Sequence, residues 1–242
     1  MSTPFILVFL LTVAASFIQR VSGFGFGIFV MMFFPFILSS YGESIMLSGL
    51  LAGTTALLVA VRHWRDIRWD VMGLITVFNL AVSALSVAYL SSLGNDVLKR
   101  CLGGVLLLIG GYFLFGADKL QLPVRSRKAQ MGIGTVSGLM GGMFAMPGPP
   151  VVLYCIGSLP DKRQYMATMQ AFSVVFNVFY TFLRARVGFY SDQTLLLWGI
   201  GLVGVVAGSA LGDRCFEAIG HRTLKRIVYL MMLTSGIVAM IG

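Results

Sequence analysis

Apolar residues run along this chain in long blocks parted by short polar connectors, and the block lengths fall into two kinds. Six blocks, at about 44–61, 70–91, 97–117, 164–183, 193–212 and 224–242, have the roughly 17–25 residues that one membrane-spanning helix needs. Two others, about 4–38 and 129–160, are too long for one upright helix at about 1.5 Å per residue and too short for two full spans with a turn. Each is interrupted near its middle, the first by "SGFGFG" (Ser22–Gly27) and the second by "AMPGPP" (Ala145–Pro150). Glycine lifts the steric bar to non-helical dihedrals. Proline removes a backbone donor, yet suits the first turn of a new helix. The pattern predicts two half-helices in each stretch, joined by irregular backbone, with second arms starting near Gly25 and Pro149. Such backbone is tolerated at membrane depth only where it is buried in protein or lines a cavity.

The order of blocks recurs along the chain. "DVLKRCLGGVLLLIGG" (96–111) aligns with "RTLKRIVYLMMLTSGI" (222–237), pairing Leu98-Lys99-Arg100 with Leu224-Lys225-Arg226 and Gly110 with Gly236. The two broken stretches lie at a similar spacing. Small-residue stripes suited to close helix packing also correspond, Ala84 and Ala88 in one half and Gly204, Gly208 and Gly212 in the other. The fold expected is therefore all-α, a polytopic transmembrane bundle of two homologous repeats. They occupy 1–120 and 129–242, with a basic connector at 121–128 on the cytoplasmic side. Each is a broken or re-entrant helix pair followed by three full spans.

Loop charge distinguishes parallel from inverted repeats. If the broken segments cross the membrane, the loop lysines and arginines divide nine against eight. If they are re-entrant hairpins, the second half inverts and the division becomes thirteen against four, leaving Lys99, Arg100, Arg184 and Arg186 on the poorer side. The positive-inside rule favours inversion. Both termini then lie outside the cytoplasm.

Composition supports the membrane assignment. The chain is 57% hydrophobic and 11% charged, with a mean hydropathy of +0.89, whereas soluble domains carry about 25% charged residues. The N-terminus lacks the charged leader of a signal peptide, so its first apolar block is expected to be retained. A net charge of +9 raises nucleic acid as a partner. The basic residues sit in connectors, however, with no aromatic-interleaved stripe, so the partner expected is the lipid bilayer and not nucleic acid. Cys101, Cys155 and Cys215 have no metal-ligand or redox spacing and read as packing residues. His63 and His221 lie in connectors, far from any catalytic motif, and the nine acids lie at segment ends or in loops. Neither an enzyme, a metal, a cofactor nor a carboxylate relay is expected.

Three features remain that could hold a ligand. Arg20 stands inside an apolar block, where a charge is normally paired or functional; facing an anion and reaching for lipid headgroups both stay open. The breaks place Ser22, Gly23, Gly25 and Gly27 in the first stretch and Pro147, Gly148, Pro149 and Pro150 in the second. Helix arms starting there would turn unpaired N–H groups toward an anion. Gln170, Ser173 and Asn177 share one helical face, as do Asn79, Ser83 and Ser86. These stripes line a cavity or bond helices together. Gly134, Gly138 and Gly142 fit helix packing better than a ligand role, and the many Met and Phe residues read as packing or lipid-facing.

"GLMGGMFAMPGPPVVLYCIGSLP" (138–160) followed by "YMATMQAFSVVFNVF" (165–179) resembles the Gly/Pro-rich block and next helix of the TauE/SafE family of bacterial permeases. "SGFGFGIFVMMFFP" (22–35) is similar to its weaker first-half copy. The likeness covers nearly the whole chain. It departs at Met166, where relatives commonly carry arginine in an "RAT"-like segment, and in alternating Gly and Phe where a run of glycines is usual. The resemblance implies export of sulfite, sulfonates or related small anions across the bacterial inner membrane. The expected site combines the two breaks with Arg20, then Gln170, Ser173, Asn177 and Asn79, around which the repeats alternate access; self-association into a homo-oligomer stays open. Alternatives are a gated anion channel and a sulfur-relay protein using Cys155.

Overall fold

A computed structural model of the chain describes residues 3–90, 126–144, 146–159 and 161–215, with isolated positions at 100, 101, 103, 104, 107, 108, 111, 233 and 237. The spans expected at 97–117 and 224–242, the aligned 96–111 and 222–237 segments, and most of the 121–128 connector lie outside the described residues. Among the described residues every regular element is helical.

Helix α1 (Thr3–Ser22) is followed by the short α2 (Phe26–Met31) and α3 (Phe34–Ile37). Helices α4 (Tyr41–Arg62) and α5 (Trp69–Leu90) come next, linked by a 3-10 turn at Trp64–Asp66. The later group is α6 (Arg127–Phe144), α7 (Gly148–Ser158), α8 (Lys162–Arg186) and α9 (Asp192–Cys215). Among the described residues five stretches are long and apolar enough to cross a membrane: Pro4–Ser22, Tyr41–Arg62, Trp69–Val87, Arg163–Arg186 and Asp192–Cys215. Four of these coincide with expected spans.

Local chemistry sets the starts of two of them. Ser40 caps α4 by accepting from the Glu43 N–H at 3.0 Å. Asp161 caps α8 by accepting from the Gln164 N–H at 2.8 Å. Each offers a side-chain oxygen to an amide with no partner inside the helix.

The interruptions fall where glycine and proline predict them, but the arms are unequal. Twenty-residue α1 ends at Gly23 and Gly25, which take φ of 84° and 102°, a region side chains with a Cβ avoid. The arm beyond is cut again before Pro35, at the start of α3, since the ring cannot continue the preceding turn. In the later group the 18 residues of α6 outlast the 11 of α7.

Helix directions follow from the contacts. One end of the bundle holds Arg62, the 3-10 turn, Asp161 and Asp213; the other holds Ser40, Glu43, Phe189 and Ser191. Helix α1 runs toward the Arg62 end, parallel to α9. A Cβ at Gly204 would meet Phe9 and Thr12, one at Gly208 Val13 and Ser16, and one at Gly212 Phe17 and Arg20. Helices α2 and α3 lead back to Ser40. Helix α6 starts at the Arg62 end and lies on α5, with Gly134, Gly138 and Gly142 against Ile75, Asn79 and Ser86. Helix α7 returns along α6, as shown by hydrogen bonds from Ser137 Oγ to the Pro147 carbonyl (2.7 Å) and from Gln130 Nε2 to the Tyr154 hydroxyl (2.7 Å). Antiparallel α4 and α8 sit between these pairs, brought close by Gly49 and Gly53.

Candidate functional site

The two interruptions meet. A small pocket opens between them, lined by backbone and side chains of Gln19, Gly23–Ile28, Met146–Pro149 and the α8 residues Met169, Ser173, Phe176 and Asn177, with Ala52 of α4. Of the residues singled out from sequence, it brings together Gly23, Gly25, Gly27, Pro147, Gly148, Pro149, Ser173 and Asn177. Arg20, Ser22, Pro150, Gln170 and Asn79 do not line it.

Most of the excluded residues brace its walls. Gln170 Nε2 donates to the Gly23 carbonyl at 3.1 Å, and Gln170 Oε1 accepts from Gln19 Nε2 at 2.9 Å. The Tyr165 hydroxyl donates to the Ser22 carbonyl at 3.2 Å, while the Ser22 hydroxyl lies 2.8 Å from the Ile18 carbonyl oxygen. The first interruption is thereby held from α8. A second chain of bonds holds the other: Tyr180 hydroxyl to Asn79 Oδ1 (3.0 Å), Asn79 Nδ2 to Ser137 Oγ (2.9 Å), and Ser137 Oγ to the Pro147 carbonyl (2.7 Å). Asn79 is fully buried and bonds helices. Ser83 and Ser86 likewise pack against Gly142.

Arg20 is placed elsewhere. Its Nε donates to Asp213 Oδ1, and Arg62 Nη1 joins the same carboxylate at 3.0 Å. The guanidinium therefore ties α1 to α9 near the Arg62 end. His63, close by, is held below its ordinary pKa by burial first and by the Arg20 charge second.

The helix starts offer fewer donors than the sequence pattern implied. Six-residue α2 is too short for much of a dipole, which sums along aligned peptides. Two of the first three residues of α7, Pro149 and Pro150, carry no N–H. The pocket wall combines glycine and proline backbone with aliphatic, aromatic and thioether surface and the uncharged groups of Gln19, Ser173 and Asn177. Among the described residues no charged side chain lines it, and no group of His, Cys, Asp and Glu could hold a metal. Cys155 is buried in α7 outside the lining.

Gln19, which lines the pocket, and Arg184, near it, were not singled out from sequence. Arg184, assigned to a loop by its place at the end of an apolar block, is completely buried. Nη1 donates to the Ile45 carbonyl (3.0 Å) and Nη2 to the Gly141 carbonyl (2.7 Å), with the guanidinium 5.0 Å from the Tyr180 ring centre. The Tyr41 hydroxyl donates to the neighbouring Met143 carbonyl at 3.2 Å. Both groups occupy carbonyls of the last turn of α6, which have no acceptor role inside the helix. The one clue in the sequence was "RAR" at 184–186, two arginines that a helix points in different directions.

Residues 8–239 match the profile of the Sulfite exporter TauE/SafE family. Over 232 residues the chain is 23% identical to the probable sulfite/organosulfonate exporter TauE of Cupriavidus necator, covering 92% of this chain and 88% of that protein. No solved structure matches. This multi-pass membrane protein, whose described regular elements are all helices, is a transporter and not an enzyme and belongs to the TauE/SafE sulfite exporter family.

Proposed function

We propose that the protein exports small sulfur-containing anions, sulfite or organosulfonates, across a bacterial inner membrane by alternating access around the pocket between the interruptions. The observation that carries this is the meeting of Gly23–Ile28, Met146–Pro149 and the Ser173–Asn177 face of α8 in one pocket. Discontinuous helices meeting at the interface of two repeats are the setting in which secondary transporters bind substrate. The name of the Cupriavidus necator relative supplies the substrate class.

The packing supports two inverted repeats, each opening with a re-entrant pair. The first pair, α1 with α2 and α3, enters from the Phe189 end, and the second, α6 with α7, enters from the Arg62 end. Each pair rests on the other half. Helix α1 lies on α9 and α6 on α5, while α4 crosses its counterpart α8. Tyr165 of the second half holds the Ser22 carbonyl of the first, and Tyr41 of the first half holds the Met143 carbonyl of the second. Rocking one half against the other would open these two contacts at opposite membrane faces.

An uncharged, partly apolar pocket suits weak binding and ready release. Ser173, Asn177 and Gln19 orient the anion, with the few free amides at the starts of α2 and α7. Arg20 serves the α1–α9 contact. Purified protein in liposomes, tested with sulfite, methanesulfonate and a carboxylate, is expected to show saturable flux and counterflow for the sulfur anions. Failure to move any anion removes the transport assignment to this class, and unsaturable conductive flux replaces the carrier with a channel.

A further inference from the structure

An anion entering this pocket meets no charged side chain in the described lining, and Arg20 is already matched by Asp213. Arg184 is different. It is fully buried in the span Arg163–Arg186, and among the described residues it makes no ion pair with any carboxylate. Its Nε is buried with no hydrogen-bond partner. Backbone carbonyls take the other two nitrogens, but a carbonyl dipole at a helix end offsets only part of a unit charge. Arginine does not shed its proton inside proteins, so the charge is permanent.

The charge is also close to the pocket. Arg184 Nη1 and the pocket-lining Asn177 Oδ1 lie within 3.0 and 3.5 Å of the same point beside Gly49, where a Cβ would stand. Thr181 Oγ1 lies within 3.8 Å of that point. Helix α8 therefore carries a polar track from Ser173 through Asn177 and Thr181 to Arg184, toward the Phe189 end. The bilayer and the protein interior screen poorly, so a buried charge acts over such distances with little loss.

We propose that Arg184 is the selectivity-determining charge of this transporter: its otherwise unbalanced guanidinium favours an anion at the Asn177 end of the pocket and draws it along α8. The inference rests on the transport function proposed above. An Arg184 that merely closed the last turn of α6 would affect folding without regard to the substrate's charge. A charge-selecting Arg184 must act in proportion to it, because Coulomb energy scales with the ligand's charge.

The experiment measures flux in liposomes with methanesulfonate, a monoanion, and with sulfite at a pH where it is the dianion, for wild type, Arg184→Lys and Arg184→Gln. With Arg184→Gln, KM for methanesulfonate is expected to rise about tenfold and KM for sulfite by roughly the square of that factor. Arg184→Lys keeps both within about threefold, because it retains the charge. Equal changes for the two anions, or loss with Lys as severe as with Gln, overturn the proposal and leave Arg184 structural. Wild type is also compared on methanesulfonate and its neutral isostere dimethyl sulfone, which needs no variant to fold. Exclusion of the sulfone supports the charge filter, and equal competition by both overturns it. A wild type that moves no anion overturns the transport function as well, an outcome distinct from normal wild-type flux without charge-dependent loss.

Discussion

Arg20 and Arg184 show how differently two buried arginines can be settled. Arg20 has a carboxylate on α9, so Arg20→Ala leaves Asp213 without its closest cation. It should cost about 1–3 kcal/mol of stability, lowering the melting temperature of detergent-purified protein while the KM for sulfite stays within about twofold. A large KM change with unchanged melting would return Arg20 to the substrate site. The sequence marked Arg20 as unusual because it breaks an apolar block, but its partner is remote in sequence and no local pattern reveals it. Arg184 was hidden for the opposite reason, since a charge at the end of a block looks like a loop residue until the neighbouring helices are in place. His63 adds a pH effect at the same end of the bundle. Its pKa is lowered in the fold, so the folded chain binds fewer protons and stability falls as pH drops through the ordinary value of 6.5. His63→Gln should flatten that fall in melting curves taken across this range.

Among the elements, close helix contacts depend on glycine where no side chain fits. A Cβ at Gly138 would lie 2.7 Å from the Asn79 carbonyl oxygen and 2.9 Å from Val82 Cβ, whereas one at Gly199 meets nothing within 4 Å. Gly138→Ala is expected to destabilise by about 1–3 kcal/mol through overpacking. Gly199→Ala should be neutral or stabilising by up to about 1 kcal/mol through helix propensity. Thermal unfolding of the two variants side by side checks the pair, and equal effects would contradict the packing. The four described full spans were legible from block length, and the glycines and prolines stand where α1 and α6 end and α2 and α7 begin. The arm lengths were not legible. How far α1 and α6 run before stopping depends on where Tyr165, Gln170, Tyr41 and Arg184 catch the last carbonyls, and those catches come from other helices.

At the scale of the whole molecule, the proposed inversion of the repeats makes a topological prediction. Thiol labels at Arg65→Cys and Tyr190→Cys should react from opposite sides of the membrane, and a C-terminal reporter should lie outside the cytoplasm. A cytoplasmic C-terminus would reject the inverted arrangement. The proposed repeat rests, in the sequence, on a weak echo of charges and glycines. The exchange of partners, α1 with α9 and α6 with α5, was not legible there, because it is a property of the assembled bundle. That exchange bears on how the protein is made. Arg20 waits for a partner 193 residues further along the chain, and at about 5–20 residues per second the ribosome needs some 10–40 seconds to supply it. During that interval α1 has no α9 to pack against. The α1–α9 contact is thus completed only with synthesis of the last quarter of the chain, and ribosomes stalled before α9 should leave nascent chains whose α1 is open to crosslinking and proteolysis.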